Sequence, residues 1–169
     1  MYMAALSSEL ASDAAAVHIR AASGLALKNA LVAREHQRAM DFAERWVALP
    51  ADVRDQVKSK ALMTLGSAEP RAGTVAAQVT AAVAAIEMPR GMWPDLIQQL
   101  LAAVSDTSNP RQRQAALQAI GFTCETNEST ALEAQSNEIL TAVIQGARKE
   151  EPSPEVQFAA LQALSLIHI

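Results

Sequence analysis

A helical hairpin that recurs about every 40 residues constrains this sequence more than any other feature. The clearest copy spans 109–146, with a first helix predicted over 109–124 and a second over 136–147. In the second helix, apolar residues at i, i+1, i+4, i+5 and i+8 lie along one side; they are Ile139, Leu140, Val143, Ile144 and Ala147. The string Ala-Ala-Leu-Gln-Ala at 115–119 returns at 159–163. The chain is therefore predicted to consist of stacked helical hairpins.

This period predicts an all-α fold, an α-α superhelix of the HEAT or armadillo type, with about four helical-hairpin repeats. The predicted units are a partial repeat at 1–11, repeats at about 15–66, 69–104 and 109–147, and a partial repeat at 153–169. An extra segment at 33–46 expands the unit at 15–66. Because both end units lack half of a hairpin, we expect a solenoid truncated at both ends. Exposed apolar end faces would then favour self-association.

Charge and composition disfavour several kinds of function. The net charge of −4 and the pI near 5.4 disfavour nucleic acid as a partner. No apolar run reaches the length of a membrane span, so no membrane partner is expected. One cysteine cannot form a disulfide within the chain and fits a reducing compartment. We therefore expect a soluble intracellular protein.

An enzyme site is hard to find in this sequence. The histidines are isolated, without metal-ligand spacing; they are His18, His36 and His168. Gly24 and Gly121 stand alone, so no phosphate-binding loop is predicted. A cysteine-dependent enzyme using Cys124 is an alternative, but this residue lies in an apolar helix, where a buried thiol is favoured. We predict no catalytic residue, no metal and no cofactor.

Surfaces are the remaining candidates for function. In a solenoid the second helices of successive hairpins line the concave side, where their positions outside the apolar stripe face a partner. These positions are Arg54, Gln56, Lys58, Gln98, Gln99, Ala102, Asn137, Thr141 and Gln145. The positions in 54–58 and in 98–102 are polar or cationic, with few acids. Such a surface suits an acidic or mixed protein surface. Trp46 and Trp93 could anchor a partner or fill the turn between paired helices, and the second interpretation is favoured.

Six segments resemble the importin-β family of transport receptors. The segment 19–29, IRAASGLALKN, is similar to a signature of the family's amino-terminal domain. Further matches follow in the same order at 45–46 (RW), 57–66 (VK to TLG), 92–97 (MWPDLI), 117–121 (LQAIG) and 135–146 (QSNEILTAVIQG). The resemblance covers nearly the whole chain.

The resemblance implies a HEAT solenoid that mediates protein import into the nucleus and is not an enzyme. In this family the first repeats bind the small GTPase Ran in its GTP form, nucleoporins bind the outer face, and later repeats bind importin-α with its cargo. The protein would then occupy the cytoplasm, the nucleus and the nuclear pore in the nuclear envelope. The predicted Ran contacts are Lys28, Asn29, Lys58, Gln98, Asn137, Thr141 and Gln145. The alternative is a generic HEAT-repeat scaffold or adaptor protein unrelated to nuclear transport.

Overall fold

The computed structural model describes residues 2–127 and 132–167, and His168 lies outside this range. Regular structure in the described residues is helical, without strands, which confirms the all-α prediction. Two short 3-10 turns lie at Met88–Arg90 and Glu133–Gln135. The α-helices are α1 (Tyr2–Ala11), α2 (Val17–Asn29), α3 (His36–Val47), α4 (Ala51–Leu65), α5 (Pro70–Glu87), α6 (Leu96–Ser105), α7 (Pro110–Thr126), α8 (Ser136–Gly146) and α9 (Pro154–Leu166).

Local signals in the sequence explain where several helices begin. Prolines open α5, α7 and α9, where the missing N–H costs no helical hydrogen bond. The Asn109 side chain accepts a bond from the Gln112 N–H at 3.1 Å and caps α7. The N-cap of α2 is Ala16, which makes no side-chain cap bond. Asp13, just before this helix, pairs with Arg20 of α2 at 2.9 Å.

The helices pack in two layers. The first-helix layer, defined as α2, α5, α7 and α9, has each helix against the next. The second-helix layer is defined as α1, α4, α6 and α8, with α1 against α4 and α6 against α8. Each second helix also packs against the first helix that follows it in the chain. The extra helix α3 buries Phe42, Ala43 and Trp46. The apolar core thus runs between the two layers along the whole stack.

Two glycines allow close approach in the first-helix layer. A Cβ on Gly24 of α2 would lie 2.3 Å from Cγ1 of Val75 in α5. A Cβ on Gly121 of α7 would lie 3.0 Å from the Cα of Ala163 in α9. Both distances are shorter than van der Waals contact, so larger residues would push the helices apart. These glycines thus serve packing.

In three of the first helices, the fourth residue bonds the backbone at or just beyond the end of the preceding second helix. Arg20, Arg113 and Gln157 each donate a side-chain hydrogen bond of 2.9 Å to a backbone carbonyl there. The acceptors are Leu10, Val104 and Arg148. The Leu10 and Val104 carbonyls have no partner within their own helices, and these bonds satisfy them. In α5 the fourth residue is Gly73, whose Cβ would lie 3.3 Å from the Leu65 carbonyl oxygen.

Candidate partner-binding surface

Four of the predicted contact residues form an exposed polar stripe on α6 and α8. Asn137, Thr141 and Gln145 are spaced by four residues, and all three are exposed. Gln98 is exposed on the neighbouring helix α6. The Thr141 hydroxyl donates to the Asn137 carbonyl at 2.7 Å, within the helix. We call these four residues the α6–α8 stripe; it has polar groups available to a partner and no net charge.

Lys58 belongs instead to a buried polar cluster. Its Nζ lies 3.0 Å from Asp55 and 3.0 Å from Glu87, and only 12% of its side chain is exposed. The same ammonium group lies 5.3 Å from the centre of the Trp93 ring, close enough for a cation–π contact. Burial lowers the pKa of Lys58, but the hydrogen bonds and charges of Asp55 and Glu87 outweigh this effect and raise it overall. Lys58 is therefore a cation that the protein neutralises internally.

Glu87 is the centre of that cluster. Its carboxylate is fully buried at the end of α5 and accepts three hydrogen bonds. The donors are Trp46 Nε1 at 3.0 Å, Arg54 Nη1 at 3.2 Å and Lys58 Nζ at 3.0 Å. The cluster ties α3, α4 and α5 together. A polar or cationic surface on α4 was expected, but Arg54 and Lys58 bind Glu87, because a buried carboxylate needs charged donors.

Sequence reasoning did not single out Glu87. The available signal was an acid directly after the apolar run of α5, together with a tryptophan whose indole N–H needs an acceptor when buried. Trp46 is fully buried and Trp93 is 5% exposed. Both indoles are therefore packing residues, as favoured from the sequence, and are not exposed anchors.

A groove opens between α4 and α6 in the second-helix layer. It has a volume of about 500 Å³, and its lining residues are Asp55, Lys58, Ser59, Leu62, Met92, Trp93, Asp95 and Gln99. Asp55 and Asp95 are exposed at its rim, with 68% of the Asp55 side chain accessible. Gln99 donates a hydrogen bond to Asp95. We call this feature the α4–α6 groove.

Lys28 and Asn29 lie away from these residues, at the end of α2 in the first-helix layer. Lys28 lines a separate groove of about 490 Å³ formed with α5 and α7. Its other lining residues are Val32, Gln78, Ala81, Ala82, Phe122, Glu125 and Thr126. Asn29 is exposed. The predicted contact residues therefore divide between two layers.

The structure offers little for catalysis in the residues it describes. Cys124 is 6% exposed, and burial raises its pKa to about 11, so the reactive thiolate is scarce near neutral pH. Across 2–127 and 132–167, no group of three or more His, Cys, Asp or Glu side chains could hold a metal ion. No helix in the same ranges is long and apolar enough to cross a membrane.

Comparisons with known proteins identify similar sequences and folds. The family model described as the importin-β N-terminal domain matches residues 1–67. Importin subunit beta-1 of Schizosaccharomyces pombe is 50% identical over 163 residues, which cover 96% of this chain and 19% of that protein. The chain thus spans about a fifth of the length of this curated relative.

Two solved structures share the fold closely. A crystal structure of importin beta from an ammonium sulfate condition is 48% identical, with a TM-score of 0.93 over 97% of this chain and 19% of that one. A Kap95p structure is 34% identical, with a TM-score of 0.92 over 98% of this chain and 19% of that one. Binding of Kap95p is described there as inducing the switch loops of RanGDP to adopt the GTP-bound conformation.

Proposed function

We propose that this chain, which belongs to the importin-β family, is the N-terminal region of a nuclear import receptor and binds Ran in its GTP form. The α6–α8 stripe carries the proposal: neighbouring helices present exposed polar residues in a fold shared with Kap95p, a relative that binds Ran. The chain covers a fifth of its relative, so transport would be the work of the longer protein.

The proposed mechanism is competition between binding partners, without covalent chemistry. Ran in its GTP form would bind the second-helix layer and lower the affinity of the whole receptor for cargo. Binding energy alone can drive this release, because a partner shifts an equilibrium by its difference in affinity for the two states. The region is therefore proposed to be non-enzymatic. A generic HEAT scaffold is not favoured, because the likeness extends beyond the repeat pattern to a specific family.

The central test is a titration of the purified chain with Ran loaded with a GTP analogue and, separately, with GDP. We expect tighter binding of the GTP form, because the GDP form must first rearrange its switch loops, at a cost in free energy. Equal affinity for the two forms would contradict the proposal. If neither form bound, the result would contradict a Ran site within this chain.

Two variants locate the contact. Thr141→Arg places a bulky cation in the middle of the α6–α8 stripe and should weaken Ran binding about tenfold or more. The matched control is Thr107→Arg, which makes the same change at an exposed position between α6 and α7. Lys28→Glu tests the prediction for Lys28 from the resemblance. Weakening by Lys28→Glu but not by Thr141→Arg would move the contact to the first-helix layer.

Other partners follow from the family and apply to the longer protein. We propose that it also contacts nucleoporins and an importin-α adaptor with its cargo, and that it moves between cytoplasm and nucleus.

The proposed repeats are the hairpins α2 to α4, α5 with α6, and α7 with α8, with α1 and α9 as partial units.

A further inference from the structure

We propose that the α4–α6 groove binds a basic side chain, arginine or lysine, from a protein partner. That Ran is this partner rests on the proposed function. That the groove binds a basic side chain rests on the charged residues around it. The sequence predicted a polar or cationic surface here, which suits an acidic or mixed protein surface. The arrangement around Glu87 reverses that prediction.

The buried Glu87 carboxylate pairs with two cations of α4, Arg54 and Lys58. Lys58 also pairs with Asp55 at the rim of the groove. The exposed fractions of Arg54 and Lys58 are small, with side chains 15% and 12% accessible. Neither cation therefore faces a partner as a free charge.

The groove and the cluster beside it carry a net negative charge. Asp55 is mostly exposed, and Asp95 is exposed on the opposite wall of the groove. With Glu87 included, the cluster and groove contain three carboxylates and two cations, which leaves one negative charge. A partner that brings a positive charge complements this surface, whereas an acidic partner would be repelled.

The lining of the groove is partly apolar. Leu62 and Met92 line the groove and are partly exposed. Arginine and lysine bury an aliphatic stem along apolar surface while the charged head remains among polar groups. The carboxylates of Asp55 and Asp95 at the rim can accept hydrogen bonds from such a head. This combination fits a long basic side chain better than a short or apolar one.

The test uses a small probe with the whole chain. Acetyl-Gly-Arg-Gly-amide is titrated while NMR follows the Trp93 indole and the Gln99 side-chain amide, with acetyl-Gly-Gln-Gly-amide as the uncharged control. We expect saturable shifts with the arginine peptide alone. Equal shifts with the glutamine peptide, or no saturable shift with the arginine peptide, would overturn the inference.

Asp95→Asn is the decisive variant, because asparagine has the same shape and is also favoured at an N-cap, so α6 should stay intact. It should weaken binding of the arginine peptide about fivefold or more. Asp52→Asn is the matched control: this exposed aspartate lies on α4 but does not line the groove. Equal peptide affinity in the two variants would overturn the inference.

Titration with Ran separates this inference from the proposed function. If Ran binds and Asp95→Asn weakens it while Asp52→Asn does not, the groove receives a basic side chain of Ran. If Ran binds both variants equally, Ran does not use the groove. The inference that Ran supplies the basic side chain is then overturned, while the proposed function stands. If Ran does not bind, the proposed function fails, and the peptide titration still decides whether the groove is a cation site.

Discussion

Glu87 stabilises the orientation of three helices through its hydrogen bonds. A buried ion pair contributes little net stability, because removing two charges from water costs about as much as their attraction returns. Removal of one partner is different, since the remaining charge stays buried without compensation. If the Glu87 carboxylate were replaced, the Trp46 indole N–H, which is fully buried and donates to it, would also have a weaker acceptor. The cluster should therefore be sensitive to a change that preserves shape and removes charge.

Glu87→Gln is predicted to lower the free energy of unfolding by about 2–4 kcal/mol, because Arg54 and Lys58 lose a common counter-charge. Asp55 still pairs with Lys58, which places the expected loss towards the lower end. Urea denaturation followed by circular dichroism measures the change. Glu44→Gln is the matched control, an exposed carboxylate on α3. The interpretation fails if both variants unfold at the same urea concentration.

Cys124 is predicted to react slowly in the native protein. Because burial raises its pKa to about 11 from 9.0, the thiolate fraction near pH 8 falls roughly a hundredfold, and access is also restricted. Labelling with a thiol reagent should therefore be at least a hundredfold slower in buffer than in concentrated urea. The chain has one cysteine, so the unfolded chain is its own control. Similar rates in the two conditions would point to an exposed, activated thiol instead.

At the scale of helices, local sequence predicted much of the structure. Pro110 and Pro154 mark the first residues of α7 and α9, because a proline at that position loses no helical bond. The apolar stripe predicted a helix over 136–147, and α8 spans Ser136–Gly146. Both signals depend on residues within one or two turns, so they can be read without knowing the fold.

The polar cluster was not predictable in the same way. Lys58 lies outside the apolar stripe of α4, so its spacing suggested a position facing a partner. Its actual partner, Glu87, is 29 residues away in the sequence, and the Trp46 bond to Glu87 spans 41 residues. Such pairs depend on which helices are neighbours and how they are rotated. Lys28 shows the same limit, since a motif match does not state which layer a helix occupies.

The clamp between Arg113 and Glu151 predicts a pH dependence of stability. Arg113 makes two hydrogen bonds to Glu151, of 2.9 and 2.7 Å, and so ties α7 to the turn between α8 and α9. These bonds lower the pKa of Glu151; burial opposes the change, and the Ser153 N–H adds to it. A lowered folded-state pKa stabilises the fold above the ordinary glutamate range. This contribution is lost as the pH falls through the folded-state pKa.

Glu151→Gln should therefore destabilise the protein by about 2 kcal/mol at pH 7, the usual range for a charged hydrogen bond. The difference from the unmodified chain should shrink as the pH falls from the ordinary glutamate range, where the unfolded chain takes up the proton, to the lowered folded-state pKa of Glu151. Urea titrations at a series of pH values measure it. Glu150→Gln, at an exposed neighbouring position, is the control. A difference that stays constant from pH 7 to strongly acidic pH would contradict the assigned ion pair.

The described helices form a linear stack: each helix of the first-helix layer contacts the next one in that layer, and each helix of the second-helix layer contacts the first helix that follows it in the chain. In such proteins stability is close to a sum of units and nearest-neighbour interfaces. A substitution that disrupts one interface should then loosen the helices beside it more than distant ones. Gly24 and Gly121 provide a matched pair for testing this, because each sits at a close contact in the first-helix layer, towards opposite ends of the chain.

Gly24→Val should lower amide protection from hydrogen exchange mainly in α1, α2 and α5, because the new side chain meets Leu10 of α1 and Val75 of α5. Gly121→Val should do so mainly in α9, where it meets the backbone of Ala163. We expect about a tenfold loss of protection or more near each site, equivalent to about 1.4 kcal/mol. Exchange measured by mass spectrometry at peptide resolution compares the two variants. If both lowered protection equally throughout, the chain would unfold as one cooperative unit, and the nearest-neighbour description would be wrong for this stack.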